Sequence, residues 1–209
     1  MRVDTQNFDS ASVSASVAPL PIGPGFFGGF TDGRYGYFVP NGHGTCVRVD
    51  LQRFAPDGVA RLDLSIGGFE GGFTDGRYGY FVPFSHGTCV RVDLQRFAPD
   101  GVARLDLTTI NPALRGFSGG FTAGPFAYLV PFSHGTCVRL DLQRFDRDGV
   151  TTLDLTTINP ALQYFTSGFS DGRFGYLVPG GRPDLTLGRI DLQHFDHDNI
   201  ASLALTRAC

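Results

Sequence analysis

The chain has 209 residues, which suits one ordinary domain or one array of short repeats. Its formal charge of −3 argues against a nucleic-acid-binding surface, since such surfaces usually need a clear basic excess. All 17 basic residues are arginine and Glu70 is the only glutamate, so residues typical of helices are scarce. The 29 glycines and 20 phenylalanines favour an all-β protein with short strands and frequent turns.

Neither a membrane span nor a signal peptide is predicted. No apolar run approaches the ~20 residues that a spanning helix requires. The N-terminal segment, residues 1–21, carries acidic residues and lacks the continuous apolar centre of a signal peptide. Cys46, Cys89 and Cys137 occupy equivalent places in successive repeats, where the distances are too long for a disulfide. We therefore expect free thiols, which favour a reducing compartment such as the cytoplasm.

An internal repeat organises most of the sequence. TDGRYGYFVP runs from Thr31 to Pro40 and recurs unchanged from Thr74, and altered versions begin at Thr122 and Ser170. Residues 43–64 are repeated identically as residues 86–107. A period of roughly 43 to 50 residues is typical of propeller and solenoid arrays.

Each repeat reads as four short antiparallel strands. In the third copy, we predict strands over residues 116–121, 126–130, 136–142 and 149–155, separated by turn residues. The sibling copies place Asp-Gly at the first turn, which is a strong hairpin signal. Four such strands in succession describe one blade of a β-propeller.

The order of motifs resembles the YVTN family of propeller repeats. The matching stretches are DGRYGY, from Asp75 to Tyr80, and VRVDL, from Val90 to Leu94. The resemblance covers nearly the whole chain and implies a propeller fold, but it implies no activity. Phe-Val-Pro replaces the Val-Thr-Asn-like end of such repeats. The paired Arg and Asp on each third strand are similar in role to the polar networks of WD-repeat propellers.

We predict an all-β, propeller-like array of about four and a half repeats. A partial N-terminal repeat covers residues 1–25, and the blades cover 26–68, 69–116, 117–164 and 165–209. The N-terminal hairpin is surplus to the fourth blade, which already has its own outer strand. Three arrangements follow: an open arc that is a fragment of a longer array, a small closed ring, or a ring completed by oligomerisation through unpaired terminal strands.

Three recurrent motifs could carry chemistry, and each has a structural interpretation that we favour. The His-Gly-Thr-Cys motif offers two ligands per repeat where zinc needs about four. The Asp and Arg that flank the first-turn glycine are lost together in the third copy, as expected for a turn-stabilising pair. The sequence Asp146-Arg147-Asp148 resembles half of a calcium loop without its glycine and glutamate. We expect neither a metal site nor a cofactor.

The sequence favours a non-enzymatic scaffold that binds a protein or small ligand on one face. That face collects the second-to-third-strand loops and the connections between blades, which vary most between copies. The residues predicted to bind there are Phe84, His86, Asn111, Phe132, His134 and Asn159. The alternatives are a repeat fragment without an evolved site, and a propeller enzyme with a metal or quinone cofactor in its central channel.

Overall fold

A computed structural model describes residues 2–3, 13–14, 25–180 and 185–205. Near the N-terminus, strands β1 (Arg2–Val3) and β2 (Val13–Ser14) form an antiparallel pair. Residues 1, 4–12 and 15–24 of the predicted partial repeat lie outside the described residues. The described residues contain no helix long and apolar enough to cross a membrane.

Four antiparallel sheets of four strands each follow, and they confirm the predicted blades. The strands of blades 1 and 2 are β3 (Phe26–Thr31), β4 (Tyr35–Pro40), β5 (Thr45–Asp50), β6 (Val59–Asp63), β7 (Phe69–Thr74), β8 (Tyr78–Pro83), β9 (Thr88–Asp93) and β10 (Val102–Asp106). Those of blades 3 and 4 are β11 (Phe117–Ala123), β12 (Phe126–Pro131), β13 (Thr136–Asp141), β14 (Val150–Asp154), β15 (Phe165–Ser170), β16 (Phe174–Pro179), β17 (Leu185–Asp191) and β18 (Ile200–Leu205).

Within each sheet the strands lie in chain order, so every strand pairs with its sequence neighbour. The third and fourth strands are joined by a loop that contains one short 3-10 turn, as at Pro56–Gly58 in blade 1. The inner strands β3, β7, β11 and β15 lie side by side around a common centre. The described residues contain no α-helix, as the composition predicted.

The core lies between blades. Each of three apolar clusters combines one blade's residues with those of the next. The same contact between neighbouring blades, which we call the interlock, occurs three times. The ring of Phe30 in blade 1 lies over Gly79 of blade 2, and a Cβ added to Gly79 would lie 2.6 Å from that ring. Phe73 meets Gly120 in the same way, and Phe121 meets Gly175. Both faces of an inner blade are therefore buried, which explains why Cys137 and Val138, on opposite faces of β13, are both inaccessible.

Glycines let the inner strands approach each other closely. A Cβ on Gly28 would lie 3.2 Å from Gly71 Cα, and one on Gly71 would lie 3.0 Å from Gly119 Cα. All three glycines have positive φ, between 70° and 85°, and each sits at a β-bulge in its inner strand. Only glycine adopts this backbone readily and leaves the space empty.

The four sheets do not close into a ring. Consecutive inner strands contact each other, but β15 of blade 4 is not packed against β3 of blade 1. Of the three predicted arrangements, the small closed ring is therefore wrong. The four described sheets form an open arc, in which blade 1 and blade 4 are the terminal blades.

Because of the interlock, we predict that two phenylalanine substitutions lower the free energy of unfolding by unequal amounts. Phe73 is buried between blades 2 and 3, whereas Phe27 is 54% exposed on the inner strand of blade 1. We expect Phe73→Ala to lower the free energy of unfolding by about 3–5 kcal/mol, because it leaves a cavity. Phe27→Ala, the control, should change it by less than about 0.5 kcal/mol. Urea denaturation of both variants measures the difference, and equal costs would contradict the packing described here.

Candidate binding face and axial cleft

The second-to-third-strand loops and the connections between blades lie at one end of the sheets, as predicted. We call this end the loop face: it consists of residues 41–44, 84–87 and 132–135 together with the connections 64–68, 107–116 and 155–164. Backbone bonds tie the two sets together, since Phe84 N–H donates to Gly68 O (3.0 Å) and Phe132 N–H donates to Gly116 O (2.9 Å). The opposite end carries the Asp-Gly-Arg turns, where Arg34 lies 3.4 Å from Asp50.

Two of the predicted binding residues, Phe84 and Phe132, form an aromatic row across the loop face. Their ring centroids are 5.7 Å apart, and Phe132 lies 6.1 Å from the ring of Tyr164. Both phenylalanines are half-buried. The row therefore spans blades 2 and 3 and the connection into blade 4.

The two predicted histidines do not project from the loop face as we expected. His86 and His134 are half-buried, and each ring packs edge-on against the first phenylalanine of its own blade's inner strand, Phe69 or Phe117. Each Nδ1 accepts a hydrogen bond from the backbone N–H two residues later (3.1 Å). His86 Nε2 also donates to Gly67 O (2.6 Å). Burial lowers the pKa of both imidazoles, so both rings are neutral and stabilise the loop.

The predicted asparagines stabilise their own turns. Asn111 Oδ1 accepts from Ala113 N–H and Asn159 Oδ1 accepts from Ala161 N–H, both at 3.0 Å. Asn159 Nδ2 also donates to Ser202 Oγ (3.1 Å), which ties this connection to the outer strand of blade 4. These hydrogen bonds give both residues a structural role, and binding by them stays a prediction.

The cysteines of the His-Gly-Thr-Cys motif are unpaired and inaccessible. Cys46, Cys89 and Cys137 are free thiols with no exposed surface. Burial raises the pKa of each to about 12, so none supplies a thiolate at neutral pH. In the part of the chain that the structure describes, no group of three or more His, Cys, Asp or Glu could hold a metal ion.

The Asp and Arg of the first turn do not pair with each other, contrary to our interpretation. Asp32 Oδ1 accepts from the backbone N–H of Arg34 and Tyr35, and its other oxygen accepts from Tyr37 O–H at 2.8 Å. Arg34 instead reaches Asp50 at the end of the third strand. Although desolvation opposes it, these hydrogen bonds lower the pKa of the Asp32 carboxyl. The turn is thus held by two separate contacts.

An axial cleft that we did not predict from the sequence lies between the inner strands. It has a volume of about 250 Å³. Glycines of the first three inner strands form much of its wall. The second residue of each inner strand also lines it, and these four residues all differ: Phe27, Glu70, Ser118 and Thr166.

Glu70 is the charged group of this cleft. Ser118, which is only 2% exposed, has its Oγ 2.7 Å from Glu70 Oε1 and 3.0 Å from Thr166 O. Each of these two neighbours is an acceptor, and a hydroxyl has one proton to donate. Glu70 takes part in no ion pair among the described residues, and no basic side chain lines the cleft.

Two signals in the sequence could have identified the cleft. Glu70 is the only glutamate of the chain, and it interrupts an otherwise small and apolar strand. The second position of the inner strand also differs in every copy, although the strands around it are nearly constant.

Comparison with known proteins shows the fold alone. The chain is similar to hydrazine synthase from Kuenenia stuttgartiensis (TM-score 0.68, 14% identity, 92% of this chain and 53% of that one). It is also similar to streptogramin B lyase, with a TM-score of 0.64 and 10% identity over 87% of this chain and 55% of that one. The WD40 repeats of RRP9 match with a TM-score of 0.61 and 11% identity over 87% of this chain and 51% of that one. This chain thus spans about half the length of each of these structures.

No family model and no curated protein matches the sequence. The solved structures include propellers named as enzymes and propellers that are not, so they support the propeller fold without indicating an activity. The YVTN assignment stays a prediction.

Because the three thiols are buried, we predict that they react with a thiol reagent only after the protein is unfolded. At pH 8, a pKa of about 12 leaves a thiolate fraction on the order of 10⁻⁴, and burial blocks access. We expect Cys46, Cys89 and Cys137 to be unreactive towards Ellman's reagent in the native protein and to react in 6 M guanidinium chloride without reductant. A gain of fewer than three reactive thiols on denaturation would contradict this assignment, since the chain has a fourth cysteine, Cys209, that can add to the total.

Proposed function

We propose that this protein is a non-enzymatic propeller scaffold that binds a small organic cation in the axial cleft. The observation that carries the proposal is the carboxylate of Glu70, which lines the cleft without an ion-pair partner among the described residues. A carboxylate in a small, partly enclosed site attracts a positive charge more strongly than one in bulk water does.

The lining favours an ammonium group over a metal ion. One carboxylate and one hydroxyl are few donors for Ca²⁺, which takes six to eight oxygens. Phe27, more than half exposed, lines the same cleft and offers an aromatic ring to a cation. Glu70 and Thr166 O compete for the single proton of Ser118, so an N–H donor from a ligand would satisfy the acceptor left over.

The same geometry argues against catalysis at this cleft. In the cleft, the hydroxyl of Ser118 lies next to the carboxylate of Glu70, but Ser118 is almost completely buried, and its proton is directed to acceptors of the protein. The thiols are protonated, and the loop-face histidines pack on phenylalanines. Binding therefore accounts for this set of residues better than a reaction does.

A protein partner on the loop face is the second candidate function. It is favoured by the aromatic row of Phe84, Phe132 and Tyr164, because aromatic side chains are enriched at interface hot spots. The two functions are compatible. The inner strands start at the loop face, and Glu70 and Ser118 are their second residues, so the cleft lies just below it.

Binding of tetramethylammonium and n-butylammonium, measured by calorimetry or NMR titration, tests the cation proposal. We expect both probes to bind, and tert-butanol, a neutral probe of similar size, to bind much more weakly. Glu70→Gln should weaken binding by about tenfold or more, which corresponds to about 1.4 kcal/mol. Phe27→Ala should weaken it by about two- to fivefold, the range of an exposed cation–π contact.

Asp100→Asn is the matched control, because it removes one exposed carboxylate at the opposite end of the sheets. It should leave binding unchanged. Equal affinity of Glu70→Gln and the unmodified protein, or no preference for the cations over tert-butanol, would overturn the cation proposal.

A further inference from the structure

The three loops of the loop face that contain a histidine share one hydrogen bond. In each loop the histidine Nδ1 accepts from the backbone N–H two residues later, at 3.1 Å. The pairs are His43 with Thr45, His86 with Thr88 and His134 with Thr136. A backbone N–H can only donate, so each Nδ1 must be unprotonated. The contact therefore requires a neutral imidazole, and it recurs in blades 1, 2 and 3.

His86 joins its loop to two other parts of the molecule. Its Nε2 donates to Gly67 O (2.6 Å), which belongs to the connection between blades 1 and 2. Its ring packs edge-on against Phe69 of the inner strand, with the centroids 5.1 Å apart. A neutral imidazole has one N–H and one acceptor nitrogen, and here both are used.

The loop that His86 stabilises is seated between the connections before and after blade 2. Phe84 N–H donates to Gly68 O on one side (3.0 Å). On the other side, a Cβ added to Gly87 would lie 2.7 Å from Leu114 O, so the backbones are in close contact. The loop of blade 3 is seated in the same way. Both loops depend on contacts with chain segments that are distant in sequence.

One carboxylate faces each of these two rings from the outer strand of the same blade. Asp106 faces His86, and Asp154 faces His134. Each carboxylate already caps the short 3-10 turn that follows it: Asp106 accepts from Thr108 N–H (2.9 Å) and O–H (2.6 Å), and Asp154 accepts from the corresponding threonine. The charge that acts on each imidazole is therefore held in place by the turn.

Burial is the largest influence on both imidazoles. It lowers the pKa of His86 and of His134 below 6.5, although the facing carboxylates and main-chain carbonyls raise it. In the unfolded chain both rings have the ordinary pKa of about 6.5. The neutral rings therefore stabilise the folded form above pH 6.5, and this stability is lost as the pH falls from 6.5 through the lowered folded value.

We propose that acid opens the loop face, because a proton on Nδ1 of His86 and His134 removes the acceptor on which each loop depends. The protonated ring directs an N–H at the backbone N–H that it formerly accepted from, and two donors cannot bond. The ring must turn away, and its loop separates from the neighbouring connections. Phe84 and Phe132 belong to these loops, so the aromatic row that a partner would meet changes with pH.

This proposal goes beyond cation binding and does not rest on it. Neither His86 nor His134 lines the axial cleft. A chain that binds no ammonium ion can still open its loop face in acid, and a chain that binds one can keep the loops closed. The two proposals therefore fail separately.

Hydrogen exchange of the full chain at pH 7.5 and 5.0, followed by mass spectrometry, measures the opening. After correction for the intrinsic pH dependence of exchange, residues 84–90 and 132–138 should lose protection by about ten- to thirtyfold. The upper value follows because an exposed imidazole at pH 5.0 is protonated about 30 times more often than it is neutral. Residues 31–37, at the opposite end of the sheets and without a histidine, are the internal control. Unchanged protection in both loops, or equal loss in residues 31–37, would overturn the proposal.

NMR titration of the unmodified chain tests the protonation itself. At pH 7.5, long-range ¹H–¹⁵N spectra should show His86 and His134 as the tautomer with its proton on Nε2. Both rings should titrate below pH 6.5, together with the backbone amides of Thr88 and Thr136 that donate to them. Titration of the two rings at or above 6.5, or threonine amides that do not respond, would contradict the proposal.

Substitution by asparagine separates the hydrogen bond from the proton. An asparagine Oδ1 can accept from the N–H two residues later, as Asn111 does from Ala113 in this chain, and an amide does not titrate. His86→Asn should therefore reduce the pH-dependent loss of protection in residues 84–90 to less than about twofold. The loss in residues 132–138 should remain, which shows that the variant is folded.

Two further variants complete the test. His134→Asn should give the converse result, with a loss in residues 84–90 only. His197→Asn, which changes an exposed histidine outside the loop face, is the matched control and should respond as the unmodified chain does. If both loops of His86→Asn or of His134→Asn still open in acid, another group carries the response and the proposal is wrong.

Discussion

The fit of a phenyl ring over glycines of the next blade is the contact on which the rest of this structure depends. A single four-stranded sheet cannot bury both of its faces, so each blade is stable only against a neighbour. Phe30 covers Gly72 and Gly79, and a Cβ at either glycine would come within 3.0 Å of that ring. Because this contact recurs in register, it sets the spacing of the blades.

The same close spacing makes chemistry possible at the centre. Glycines with positive φ bring the inner strands almost into backbone contact, so the second residue of each strand meets those of the neighbouring blades. Blades of nearly identical sequence can thus present unlike groups at one point. Glu70, Ser118 and Phe27 are 43 or more residues apart in the chain, yet they line one cleft.

Local features of the fold could be predicted because they depend on near neighbours. Alternating residues and Asp-Gly turns fixed the strands, and the burial of Cys46 and its equivalents followed from their register. The partners of polar groups could not be predicted in this way. Arg34 pairs with Asp50 instead of Asp32, and the ring of His86 packs on Phe69, because each contact depends on which strand end lies nearest in space.

The repeat by itself determined the blade, since a period-2 pattern between turn residues permits little other than a short antiparallel sheet. It also determined which loops share a face, because alternating strand directions place them there. Only the tertiary structure decided that the arc stays open and that Glu70 lines a cleft without a basic neighbour in the described residues. Closure depends on the small angle between successive blades, and the cleft depends on how closely the backbones approach. Both quantities are set by packing summed over the whole array.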